Sequence, residues 1–430
     1  MKQTDYKNYL LGVLLVIYAF NSAERLALGM VLQNIKLEFH LNDTQLGLLS
    51  GIAFALFYSL MGIPIARWAD RGNRVTIISV TTLLWGIAVA ACGVAANFAQ
   101  LLLIRVGVAV GEAGCLPPAN SLLADYFNRA ARPRAVAIFM LGSPLSMVIG
   151  YFVAGWLNQL YGWRMTFILL GLPALALSAL VWLTLREPRR LPASSVADGL
   201  LAGERPASFE PRQSFRDVWV ALWTNITFRR LWFCFSVTYF FSYGLYQWQP
   251  TFFMRSYGLA STEVGSWFAL IYGLGGLAGT YLGGALASRY AANNEALQLR
   301  FTAVVFAAFG AVMAGVYLSP NKYIALALTA GAAVGGHMTT GPLFGVIQTV
   351  VPERMRAMSI ALIYLFANLV GLGLGPFAVG TLSDLFHPWA GAESLRYALL
   401  CLCPGFLWGS YYLWLGSRTV IRDVEAVEYG

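Results

Sequence analysis

The sequence predicts an all-α membrane protein with twelve transmembrane helices in two pseudo-symmetric six-helix bundles. Three observations carry this. Only 11% of the residues are charged and 58% are hydrophobic, whereas soluble domains hold about 25% charged residues. Twelve separable apolar runs are each long enough to cross a bilayer, which takes about 20 residues. Short phrases from the first half of the chain also recur in the second.

The runs lie at 9–32, 45–66, 75–97, 98–127, 135–157, 165–186, 231–254, 263–288, 301–318, 322–350, 356–383 and 394–416. The longer ones fit a tilted helix. The first run contains Glu24 and Arg25 and has no small-residue cleavage site, so it reads as a retained span and not a signal peptide. Between the sixth and seventh runs, 187–230 is rich in Pro, Ser, Arg and Ala. It reads as a cytoplasmic linker, with a short amphipathic helix near 214–224. The expected domains are therefore 1–186, a six-helix bundle; 187–230, the linker; and 231–430, a second bundle with a short cytoplasmic tail. The five cysteines lie within spans without metal-type spacing, so neither disulfides nor a metal is expected.

Orientation follows from lysine and arginine placement. With the N-terminus inside, 22 of the 29 basic residues fall in inner segments and 5 in outer ones; Arg25 and Arg105 lie within spans. This positive-inside bias puts both termini in the cytoplasm. It also accounts for the net charge of +9 without a nucleic-acid partner.

The repeat is specific. PRAVAI at 133–138 resembles MRAMSI at 355–360, and GYFVAGWLNQL at 150–160 resembles GPFAVGTLSDL at 375–385. The offsets of 222 and 225 residues place the fifth span on the eleventh. Halves repeated in this way resemble the parallel repeat of the major facilitator architecture, which implies a substrate cavity near the midplane.

Four charges interrupt the apolar runs: Glu24 and Arg25 in the first span, Arg105 and Glu112 in the fourth. A charge at mid-bilayer costs several kcal/mol, so it pairs or lines a wet cavity. The four sum to zero when ionised. Arg105 and Glu112 share a helix face but stand about 10 Å apart along it, so each is expected to pair with the first helix. Arginine does not deprotonate, whereas a buried carboxyl group can exchange a proton near neutral pH. Glu112, and then Glu24, are the candidate proton-coupling residues. Arg25 and Arg105 are the candidate contacts for an anionic head group.

The loop after the second span, ARWADRGNR at 66–74, holds Asp70, Arg71 and Arg74. It resembles the major facilitator loop of a Gly, three residues, Asp-Arg and a Gly-Arg pair, with Ala66 and Asn73 replacing the glycines. The resemblance implies a gate loop whose charges pair with the opposite half. Together with NSAERLALGMVLQNIKLEF, GEAGCLPPANSLLADYF and RAVAIFMLGSPLSMVIGYFVAG, the Asn variant resembles the bacterial members of the spinster family. That family usually has Asp where this chain has Glu24. The resemblance implies secondary active transport of lipids such as lysophospholipids or sphingoid phosphates, often proton-linked, with Glu24, Arg25, Arg105 and Glu112 as the central polar set.

In the seventh span Tyr239, Tyr243 and Tyr246 share a face at i, i+4, i+7, with Gln247 and Gln249 beside them. Trp248 reads as interfacial. His337 and Asn368 are lone polar candidates for the cavity wall. Charge chemistry is expected in the first half only, and Asp125 and Asp384 are expected near cytoplasmic helix ends. Pro117 and Pro118 break or bend the fourth helix.

The expected function is proton-coupled movement of an amphipathic anionic lipid by alternating access. The alternative is a proton-coupled symporter of sugar acids or other small organic anions. The expected partners are that substrate, protons and membrane lipids; the chain is expected as a monomer in a bacterial inner membrane. No cofactor is expected, since no G-x-x-x-x-G-K-[ST] occurs. No nucleophile–base pair or metal set indicates an enzyme.

Overall fold

A computed structural model describes residues 3–128, 131–190, 215–292, 294–352 and 355–428. The described residues are mostly helical, joined by short turns, bends and irregular segments, with no strand. Most of the predicted linker lies outside them, but a helix does form at Phe215–Thr224.

Eight helical runs are long and apolar enough to cross a membrane. Two of these, Arg134–Thr184 and Met358–Gly416, have 51 and 59 residues. At about 1.5 Å per residue each exceeds twice the roughly 30 Å hydrocarbon thickness, so each supplies two crossings. The reversals fall at Gly162 (φ 76°) and Gly391 (φ 56°), a backbone region glycine enters without a Cβ clash. The seventh predicted span forms the helix Ile226–Tyr257, and the tenth forms Lys322–Met338 and Thr340–Thr349. Both are less apolar than the other ten, and with them the crossings number twelve.

The chain divides into two compact units. Unit 1 comprises Met1–Leu41, Ala53–Glu210 and Ala260–Ser266. Its first span is one helix, Gln3–Phe39; the third span, Arg74–Cys92, packs on the fourth and sixth. The fourth span is broken as predicted. Phe98–Glu112 ends, two turn residues and Cys115 follow, and Leu116–Tyr126 restarts with proline in its first turn, where a missing N–H costs nothing. Toward the N-terminal end of the first span, Tyr6, Leu10, Ile17, Leu122, Tyr126 and Phe139 form an apolar core.

Unit 2 comprises Asn42–Ile52, Pro211–Leu259 and Trp267–Gly430. Its core gathers Phe228, Leu231, Phe235, Leu299, Val346 and Ile363. The internal repeat has a structural counterpart. The fifth span carries a π-helical turn at Val148–Val153 and the eleventh carries one at Asn368–Leu374, within a few residues of the sequence offset.

Candidate functional site

The two charge-bearing helices of unit 1 are brought together by glycines. A Cβ on Gly111 would lie 2.6 Å from the Trp85 nitrogen, so the fourth span touches the third backbone to backbone just before Glu112. A Cβ on Gly150 would lie 2.7 Å from the Ala23 carbonyl oxygen, which seats the π turn of the fifth span against the first at the residue before Glu24. Larger side chains at either place would push these helices apart.

The four charges form two crossed pairs. Arg105 Nη1 donates to Glu24 Oε1, with both side chains 1% exposed. Arg25 Nε lies 3.0 Å from Glu112 Oε2; here the arginine is 20% exposed and the glutamate fully buried. Each helix thus contributes one cation and one anion. Glu112 interacts electrostatically with Arg25, Glu24 and Arg105 together, so this is one cluster. Glu24 Oε2, Arg105 Nε and Glu112 Oε1 are among its buried atoms without a hydrogen-bond partner in the described residues. Unused polar capacity in a dry place is costly and suits a group that takes up a proton or a ligand.

An aromatic residue that the sequence reading missed belongs to the same site. Phe54, fully buried, lies with its ring centroid 5.5 Å from Arg25 Cζ and 5.4 Å from Arg105 Cζ. Tyr58, one turn on, stacks on it at 5.6 Å and lies 5.3 Å from Arg25 Cζ. In sequence both are apolar-run aromatics like many others.

The gate loop is organised by Arg74. This residue is fully buried; its guanidinium pairs with Glu187 at 2.5 Å and Asp125 at 2.7 Å and donates to the Ser121 carbonyl at 3.0 Å. All these partners are in unit 1, so Arg74 ties the loop to its own half. Burial raises the proton affinity of the Glu187 carboxyl, but hydrogen bonds and charge from Arg74 outweigh this and hold its pKa below the usual carboxylate value. Asn73, where the family pattern has Gly, caps the third span by accepting from Thr76 N at 3.0 Å. Arg71 is exposed, and the Asp70 side chain lies outside the described residues.

In unit 2, Tyr239 and Tyr243 pack at 5.6 Å, while Tyr246 turns to Tyr272 at 5.5 Å. Gln247 is half-buried, and its Nε2 has no hydrogen-bond partner among the described residues. His337 Nδ1 is hydrogen-bonded to the Ala333 carbonyl at 2.9 Å, and Asn368 opens the π turn of the eleventh span. Trp248 is not interfacial. It is fully buried and donates to the Pro376 carbonyl at 2.9 Å, because the seventh span is packed on the eleventh at that level.

Unit 2 is also not free of charge pairs. Arg255 holds Asp43 bidentately at 2.8 and 2.9 Å, and Ser383 donates to Asp43 at 2.7 Å. Asp384 accepts from the backbone N–H groups of Asp43 and Thr44 at 3.0 and 2.7 Å. It therefore caps the helix Asp43–Ser50, at the end of the eleventh span opposite to Arg356. This corrects its placement near a cytoplasmic end: a helix N-terminus attracts a carboxylate, and on the expected orientation that end is the outer one.

This geometry has relatives. The family model described as Major Facilitator Superfamily matches residues 14–376. The chain belongs to that superfamily. As a member it is a multi-pass membrane transporter of small molecules, and not an enzyme. Its twelve-helix major facilitator fold, and its likeness to spinster proteins, stand as predicted. The structure is similar to that of a bacterial homologue of the human lysosomal transporter spinster, solved inward-facing and unoccupied. The TM-score is 0.85 and the identity 30%, covering 97% of this chain and 98% of that one. An MFS-type efflux pump of Mycolicibacterium smegmatis is 30% identical over 419 residues, covering 96% of this chain and 93% of the pump. The probable L-galactonate transporter of Escherichia coli is 25% identical, covering 96% and 90%.

Proposed function

We propose that this major facilitator protein is a proton-coupled transporter that moves an amphipathic anionic lipid, of lysophospholipid or sphingoid-phosphate type, by alternating access. The observation that carries the reading is the buried, zero-sum cluster of Glu24, Arg25, Arg105 and Glu112 with its unused polar atoms. When Glu112 or Glu24 takes a proton, its arginine loses a counter-charge and gains affinity for an anion. When the proton leaves, the carboxylate reclaims the arginine and the anion is released. One group of residues thereby couples two ligands, which is what linkage requires.

In this reading Tyr239, Tyr243, Tyr246, Gln247, His337 and Asn368 contact the body of the substrate, and Asp70, Arg71 and Arg74 belong to the inner gate. The halves are 1–186 and 231–430, joined by 187–230. The protein works as a monomer in a bacterial inner membrane, with both termini in the cytoplasm. Sugar acids or other small organic anions form the second reading, favoured by the Escherichia coli relative named for L-galactonate.

The test is purified protein in liposomes under a pH gradient, offered labelled lysophosphatidylglycerol and galactonate. Lysolipid movement driven by the gradient supports the first reading; galactonate uptake alone replaces it with the second. Glu112→Gln is expected to lower gradient-driven transport at least ~100-fold while substrate exchange persists. If that variant still concentrates substrate against a gradient, Glu112 is not the coupling site.

A further inference from the structure

We propose that Phe54 is a positioning residue for Arg25 and Arg105: its ring attracts both guanidinium groups and keeps them in place when their carboxylate partners let go. The inference rests on the reading of the charge cluster as a proton and anion site.

The geometry is specific. The Phe54 ring centroid lies 5.5 and 5.4 Å from the two Cζ atoms and is fully buried. A ring within about 6 Å of a cation attracts it through the negative face of its π system, more strongly where water is excluded. Gly51, at φ −109° and ψ −94°, ends the helix Asp43–Ser50. The next helix starts at Ile52, which sets Phe54 in its first turn. Tyr58 stacks on the ring with planes 18° apart and adds a second aromatic to Arg25.

The chemistry supplies what the carboxylates cannot. Arg25 and Arg105 carry like charge, and their attraction to Glu112 and Glu24 disappears when those groups are protonated. The pull of the ring does not change with pH. Without it, protonation would free two arginines to seek water; with it, they stay fixed where an anion meets them. A preorganised pair of cations binds an anion with less ordering cost than a loose pair.

The experiment places phenylalanine with one, two or three ring fluorines at position 54 of the full-length protein. Fluorine removes the negative face of the ring while nearly preserving its size. In proteoliposomes, KM for lysophosphatidylglycerol and for galactonate is measured, with Phe54→Leu and Phe54→Trp alongside. Cation–π attraction of about 0.5–2 kcal/mol corresponds to roughly 2- to 30-fold. We expect KM to rise stepwise with fluorine count to about 10-fold, Leu to match the trifluoro ring and Trp to retain affinity. The thermal midpoint of the substrate-free protein should fall in the same order. A flat fluorine series in both measurements, with Leu alone impaired, would mean that Phe54 only fills space and would overturn the proposal. If neither probe is moved, the function proposed above fails on its own, and the thermal series still decides the role of Phe54.

Discussion

At the scale of the residue, an arginine in a bilayer cannot discharge itself, and this chain places two in its apolar runs, Arg25 and Arg105. Their carboxylates follow from that fact. Removing one partner of a buried pair leaves an uncompensated charge and costs about 3–5 kcal/mol. Glu24→Gln alone should therefore lower the thermal midpoint more than the neutral double variant Glu24→Gln/Arg105→Gln, which restores stability but not transport. A double variant no more stable than the single one would show that Glu24 and Arg105 do not act as a pair. The four charges were legible in the sequence because charge in an apolar run is rare and expensive. Their cross-pairing was legible too, because seven residues separate Arg105 from Glu112 by too great a rise. Phe54 was not legible: a phenylalanine among apolar residues breaks no pattern, and only its distance from two guanidinium groups distinguishes it.

At the scale of the element, the loop between the second and third spans is a buried ion-pair network that the sequence only sketched. The resemblance indicated the Arg74 loop, but not Glu187, which lies 113 residues further on. Because the folded pKa of Glu187 is depressed, its contribution to stability is fully present above its ordinary value of 4.5. It is lost as pH falls through the lower folded value. Glu187→Gln should cost about 3 kcal/mol at pH 7 and should flatten the fall of the thermal midpoint below pH 4.5. An unchanged acid limb would assign that limb to other carboxylates. Close helix contacts make a second expectation. Gly111→Ala puts a methyl group 2.6 Å from the Trp85 backbone and should destabilise by about 1–3 kcal/mol. The same change at Gly107, whose Cβ would meet Ala88 at 3.6 Å, should be nearly neutral. Spacing alone marks both glycines equally.

At the scale of the whole molecule, the proposed orientation has a direct check. In intact cells, an impermeant thiol reagent should label a cysteine placed at Lys322 and leave one at Arg418 unlabelled until the membrane is opened. The reverse pattern would invert the topology. Eight helices are long and apolar enough to cross a membrane; two of them hold two crossings each, and the seventh and tenth spans complete the twelve. The seventh and tenth spans fall short on hydropathy because buried helices of a bundle tolerate the tyrosines, glutamines and histidine that a lipid-facing helix would not.

Twelve membrane crossings, an internal repeat and the charges within the apolar runs are all written in the order of the amino acids. These are properties of composition and period, and the bilayer enforces them residue by residue. The tertiary structure alone decided that Phe54 stands against two arginines, that Arg74 closes onto Glu187, that Trp248 is buried, and that Asp384 caps a helix over 300 residues earlier in the chain. Such facts depend on which helix faces which. That is set by close packing of side chains and glycines across elements far apart in sequence, and no local pattern records it.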